Sequence, residues 1–340
     1  MERRIKTGLP GLLCLLGILV GPVWADPTLR IGVLAYGTLN WELETIKQHQ
    51  LDQKNGFQIT QRKLATPQAG KIALLSEAAD VIISDWTWVS RQRAAGRNFT
   101  FWPYSATSGA LVIPRGSSIK ELADLSGKRI GIAGGELDKN WLLLTALAKR
   151  NENLDLNISV EKIFGAPPLL NQQLTQGNLD ALLTYWHYAA RLEATGFQEL
   201  MNGQVILEKL GVEPAIPTIG YVFREDWAEN NRSLVDGFLA ATVEAKNLLC
   251  ESDPAWQAIE PLTRTELSQV RNQLRKSYCA GRIANWGEKE KSAIAEVFKL
   301  LHETAGPRLT GRSPVLQPGT FWSRQTIPNT EIDRPPASAI

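Results

Sequence analysis

The segment SEAADVIISDWTWVSRQRAAG, residues 76–96, returns one hundred positions later as TQGNLDALLTYWHYAARLEATG, residues 175–196. The two copies align Asp80 with Asp180, Ser84 with Thr184, Trp86 with Trp186, Trp88 with Tyr188, Arg91 with Arg191 and Gly96 with Gly196. A second pair, RIGVLAYGTLNW (residues 30–41) and RIGIAGGELDKNW (residues 129–141), repeats in the same order, the later copy carrying one extra residue. Each echoed segment is a short apolar run passing into a helix start. A chain that repeats such junctions in order folds as two lobes of one pseudo-symmetric design. Open α/β sheets bind ligands beyond the carboxyl ends of their strands, so both junctions are expected to face a shared cleft.

The apolar runs Leu29–Leu34, Val81–Ser84, Arg129–Ala133 and Ala181–Thr184 are each followed by a helix-like segment. That alternation predicts an α/β fold with mainly parallel sheets. Two extended stretches broken by Gly and Pro, residues 108–116 and 216–226, read as strands crossing between lobes. The expected boundaries are residues 26–113 plus 217–325 for a discontinuous first lobe, 114–216 for the second, and 326–340 for a surface tail. Ser233 with Asp236 resembles a capping box opening a helix to about Leu249, and Ile294, Val297, Phe298 and Leu301 keep helical spacing. Trp102, Trp227, Trp256 and Trp286 are expected in the core, and Phe321-Trp322 is expected to dock.

At the amino terminus Arg3, Arg4 and Lys6 precede the apolar run Leu12–Val20 and the small-residue site Val23-Trp24-Ala25. This is the pattern of an export signal cleaved after Ala25, and the run is far shorter than the roughly 20 residues that span a bilayer. Removing it takes a net two positive charges from the formal +2, so no basic surplus remains. Nucleic-acid binding rests on such a surplus and is not expected. Of the three cysteines, Cys250 and Cys279 remain after cleavage. An oxidising compartment favours a bridge between them, with two unpaired thiols as the alternative. With three His in all and no second ligand at metal spacing, neither a metal site nor a cofactor is expected.

GIAGGELDKN (residues 131–140) looks like a phosphate loop but carries Glu136 and Asp138 where an anion would sit. Both carboxylates suit the positive end of the helix that follows, and Asp138 can cap it. Asp85 occupies a comparable junction in the other lobe. Tyr36, Trp41, Trp86, Trp88, Trp141, Tyr185, Trp186 and Tyr188 crowd the same junctions, where rings can stack on a flat ligand or cage a cation. Trp86 and Trp186, at matched positions, are expected to approach each other across the cleft. Asn40 and Asn140 read either as contacts or as caps, Ser108 offers a hydroxyl at the cleft floor, and His187 offers a hydrogen bond. The expected ligand is a small neutral-to-cationic organic solute, heteroaromatic rings among the candidates, with a sulfonate-, taurine- or nitrate-type anion as the alternative.

SIKELADLSGKRIGIAGG (residues 118–135) and QGNLDALLTYW (residues 176–186) are similar to signatures of the substrate-binding proteins of ABC importers in the nitrate/sulfonate/taurine group, which includes relatives that bind a thiamine pyrimidine precursor. The resemblance implies a two-lobed periplasmic-binding-protein fold of type II, with two hinge strands and a cleft. It further implies a chain that hands a small solute to an inner-membrane permease; with the export signal, a periplasmic location is expected, and a monomeric state as well. No nucleophile–base–orienter set is evident, so catalysis is not expected. An exported sensor or enzyme on the same fold is the competing reading.

Overall fold

The computed structural model describes residues 26–323; the expected export signal and the tail at 326–340 lie outside them. The first lobe begins with β1 (Thr28–Leu34), α1 (Leu39–Gln48), α2 (Leu51–Lys54) and β2 (Gln58–Leu64). It continues through α3 (Pro67–Leu75), β3 (Val81–Ser84), α4 (Trp86–Ala94) and β4 (Phe99–Ser105). The second lobe runs through β5 (Gly109–Ile113), β6 (Arg129–Ala133), α5 (Lys139–Glu152), α6 (Leu156–Ser159) and β7 (Glu161–Gly165). There follow α7 (Pro167–Thr175), β8 (Ala181–Tyr185), α8 (Trp186–Ala194), β9 (Gln198–Asn202) and α9 (Gly203–Lys209). The chain then returns as β10 (Ile219–Arg224), α10 (Glu225–Asn230) and α11 (Arg232–Glu251). It closes with α12 (Asp253–Thr263), α13 (Ser268–Ala280), α14 (Glu288–Ala305) and α15 (Pro307–Thr310).

The two sheets have orders β2-β1-β3-β10-β4 and β7-β6-β8-β5-β9. In each, the strand second from one edge is the antiparallel one, β10 or β5. The repeat seen in the sequence is therefore a repeat of topology. It extends to side chains: Asp80 takes the backbone N–H and guanidinium of Arg30, and Asp180 does the same for Arg129, with N–H···O distances of 2.8 Å in both. Each pair ties the start of a lobe's first parallel strand to the start of the strand beside it. Gly96 and Gly196 end their helices at φ of 78° and 100°, a conformation that costs side-chain-bearing residues energy.

Some expectations need correction. β5, placed with the first lobe by a boundary at 113, hydrogen-bonds only within the second sheet, so the chain changes sheets at 106–108 and again near 216–218. α11 starts at Arg232 with Asn231 as its N-cap, putting Ser233 inside the helix rather than in a capping box.

The carboxy-terminal helices clasp the second lobe from two sides. α13 packs against α8, and α14 packs against α5. On the first flank Trp41, Trp186, Trp256, Leu274 and Tyr278 form one buried cluster drawn from both lobes. The Cys250–Cys279 disulfide joins α11 to α13 beneath it. Trp102 and Trp256 are buried, and Trp322 docks beside Phe223. Glu42, fully buried, is bonded to Lys246 at 2.6 Å, Tyr278 at 2.7 Å and Tyr221 at 2.9 Å, so its charge is met on every side. Among the described residues no helix is long and apolar enough to cross a membrane.

Candidate functional site

A cavity of about 320 Å³ opens between the lobes. Its walls are the carboxyl ends of β1, β3 and β8, the first turns of α1, α4, α5 and α8, and the two crossovers. Val297 and Leu301 of α14 and Leu143 of α5 make much of the remaining surface apolar. A site of this size at strand ends, apolar with a few placed polar groups, suits a small organic molecule.

Of the residues singled out from the sequence, Asp85, Trp86, Ser108, Asp138, Asn140, Tyr185, Trp186 and His187 line this cavity. Tyr36 and Trp41 line a separate lateral chamber, which His187 also borders. Four lie elsewhere. Trp141 is wholly buried in the core, and Trp88 packs on Phe99 at 5.2 Å. Asn40 donates to the carbonyls of Leu34 and Gly37 at 2.8 and 2.7 Å, which braces the turn before α1. Glu136 is ion-paired with Arg308 at 3.1 Å. Neither Asn40 nor Asn140 caps a helix; Asn140 instead accepts from Ser108 Oγ at 2.9 Å.

The matched tryptophans do not meet. Trp86 turns into the core, its Nε1 donating to the Pro217 carbonyl at 2.9 Å and its ring lying 6.4 Å from Phe298. Trp186 turns to the flank, edge-on to Trp41 at 6.1 Å. The reason is supply: Phe298 of α14 and Tyr278 of α13 each pack on one of these rings, and the second lobe has no counterpart of either helix.

Charge in the cavity is also rearranged. Asp85 caps α4 through the Trp88 N–H at 2.9 Å and accepts from Thr87 Oγ1. It lies 3.5 Å from Lys139 Nζ and 3.9 Å from Lys71 Nζ. Burial alone would raise this carboxyl, but Lys139, Lys71 and the two hydrogen bonds together hold it well below the usual range. Asp138 caps α5 through the Trp141 N–H at 3.1 Å, as expected, yet burial raises it. Burial, and secondarily the Asp138 charge, push Tyr185 up to about 12. Burial, and secondarily Arg191, push His187 down to about 4, so its ring is neutral at pH 7.

Three buried polar atoms on the cavity wall, Ser84 Oγ, Thr218 Oγ1 and His187 Nδ1, have no hydrogen-bond partner among the described residues. Buried polar atoms are otherwise almost always paired. Ser84 and Thr218 were not among the residues singled out, although the alignment of Ser84 with Thr184 marked its position. No side chain caps α1 or α8, so both helices present positive ends to the same space. Among the described residues no cluster of His, Cys, Asp or Glu could hold a metal ion.

The class of fold is that of the two-lobed periplasmic binding proteins. The alkanesulfonate-binding protein SsuA from Xanthomonas axonopodis pv. citri, bound to MOPS, superposes with a TM-score of 0.66 at 22% identity, over 88% of this chain and 99% of its own. The aliphatic sulphonate binding protein SsuA from Escherichia coli gives 0.65 at 20% identity, over 86% and 98%. The desulfurization enzyme DSZB gives 0.54 at 15% identity, over 85% and 97%, so the fold alone does not decide between binding and catalysis. No curated protein matches the sequence. The NMT1/THI5-like family model matches residues 53–253, and the chain belongs to that family.

Proposed function

We propose that this chain is the solute-capturing component of an ABC importer, working in the periplasm by closing its lobes on a small organic solute with an apolar body and a sulfonate-type anionic head. The observation that carries this reading is the interlobe cavity with its unpartnered Ser84, Thr218 and His187 atoms. They supply directional polar contacts on a largely apolar wall, without an evident catalytic set. A solute touching both lobes stabilises the closed state through its differential affinity for that state.

The charge of the solute follows from what the carboxylates are doing. The case for a cation rested on Asp85, Glu136 and Asp138. Asp85 is matched by two lysines and Glu136 by Arg308 outside the cavity wall. The likeness to two sulfonate-binding proteins points the same way. Asp138, beside Tyr185, keeps a neutral-to-cationic heteroaromatic solute as the second reading.

Calorimetric titration in phosphate-free, sulfonate-free buffer tests the choice, with MOPS, taurine, 1-hexanesulfonate and a set of aromatic amines as titrants. Sulfonates should bind, and MOPS, whose ring carries hydrogen-bonding oxygen and nitrogen atoms, should be weakened by Ser84→Ala and Thr218→Val. Binding confined to the amines would overturn the anionic reading, and binding of none would remove solute capture itself.

A further inference from the structure

Beside the main cavity, and meeting it at Thr38 and His187, lies a lateral chamber of about 260 Å³. Its first-lobe wall is Tyr36, Trp41, Leu262 and Arg264; its second-lobe wall includes Tyr188 and Arg191. No carboxylate lines it. Arg191 donates to the Thr263 carbonyl and Arg264 to the Ala35 carbonyl at 3.2 Å, which orients both side chains without neutralising either. The Arg264 guanidinium is stacked over Tyr36 at 4.2 Å, and the two guanidiniums interact repulsively. Two cations facing one space from opposite lobes oppose closure unless an anion lies between them.

We propose that Arg191 and Arg264 form an oxyanion subsite that receives the anionic head of the solute while the rest of it extends past Thr38 and His187 into the main cavity, toward Ser84 and Thr218. Planar guanidinium forks match sulfonate, phosphate and carboxylate oxygens, and each can give two parallel hydrogen bonds. An anion bridging them converts an interlobe repulsion into an interlobe attraction, so this subsite couples the charge of the solute to closure. The solute class is accordingly an amphiphilic oxyanion long enough to occupy both chambers. This rests on the solute-capture reading above, which it extends by placing the head group.

The test is titration of the full mature protein and of its Arg191→Gln and Arg264→Asn variants with 1-hexanesulfonate, uncharged hexanesulfonamide and inorganic sulfate. Asn suits the left-handed backbone at position 264, where φ is 57°, so that variant keeps the test informative should Arg191→Gln fold poorly. Expected are a loss of at least tenfold in hexanesulfonate affinity in each variant, a shallower salt dependence, and unchanged hexanesulfonamide binding. Hexanesulfonate binding at full strength in both variants, with Lys139→Gln losing it instead, would overturn the subsite and leave solute capture standing. Sulfate binding as tightly as hexanesulfonate would overturn the continuous-solute arrangement. Failure of the unaltered protein to bind any of the three would overturn the subsite and leave solute capture to the wider set of titrants above.

Discussion

Asp85 and Lys139 stand 3.5 Å apart, one on each lobe, and both line the interlobe cavity. The pair is a helix cap and the residue following another helix cap, so two rigid helix starts are joined by one charge contact. Replacing Asp85 by Ala leaves Lys139 and the half-buried Lys71 without their shared counter-ion and α4 without its cap. Loss of a buried pair's partner costs about 3–5 kcal/mol, measurable as a lower midpoint in urea unfolding. An unfolding curve within error of the parent would show that the contact contributes nothing.

Glu42 is buried against two tyrosines and a lysine. Glu42→Gln strands the Lys246 charge, which burial already disfavours, and should lose about 3–5 kcal/mol. Glu42→Gln with Lys246→Met removes both charges and should recover much of that loss. A double variant as unstable as the single one would place the energy in the tyrosine hydrogen bonds.

The ring contact between Trp41 and Trp186 crosses from one lobe to the other. A double-mutant cycle to Ala should give a coupling of about 0.5–1.5 kcal/mol. Trp86→Ala, by contrast, empties a core site and should reduce folding stability by about 3–5 kcal/mol. Additivity of the Trp41 and Trp186 changes would mean that this flank does not hold the lobes together.

His187 links pH to stability. Its pKa falls from an ordinary 6.5 to about 4 on folding, so between those values the unfolded chain binds the extra proton. The neutral ring's contribution is full above pH 6.5 and is lost as pH falls through 4, by roughly 3 kcal/mol in all. Urea midpoints of the parent and of His187→Gln from pH 7.5 to 4 should therefore converge as the pH falls. Parallel curves would remove His187 as the cause.

Reduction of Cys250–Cys279 releases a crosslink spanning 29 positions. On the chain-entropy model the loss is roughly 3–4 kcal/mol. The melting temperature should fall on adding a reductant that leaves a Cys250→Ser, Cys279→Ser variant unaffected.

Strand ends and their helix starts were legible in the sequence because they are local patterns: Val81–Ser84 and Arg129–Ala133 coincide with β3 and β6. The Arg30–Asp80 and Arg129–Asp180 pairs were visible as an echo before their contact was known. Where Trp86 and Trp186 turn was not legible, since Phe298, Tyr278 and Trp256 come from helices with no counterpart in the second lobe. Glu136 read as a free carboxylate because Arg308, its partner, lies 172 residues away. Arg191 showed only as the echo of Arg91, and Arg264 not at all, for the same reason: a chamber wall assembled from distant segments has no periodicity to read.

β10 lies between β3 and β4, yet it is made only after every strand of the other sheet. A ribosome delivers residues 109–202 as one uninterrupted stretch, whereas the sheet begun first must wait, with a gap between β3 and its edge strand β4, for residues 219–224. The lobe that starts first is therefore completed last. In a refolding experiment with pulsed deuterium labelling, amides of β6 and β8 should gain protection ahead of those in β4 and β10.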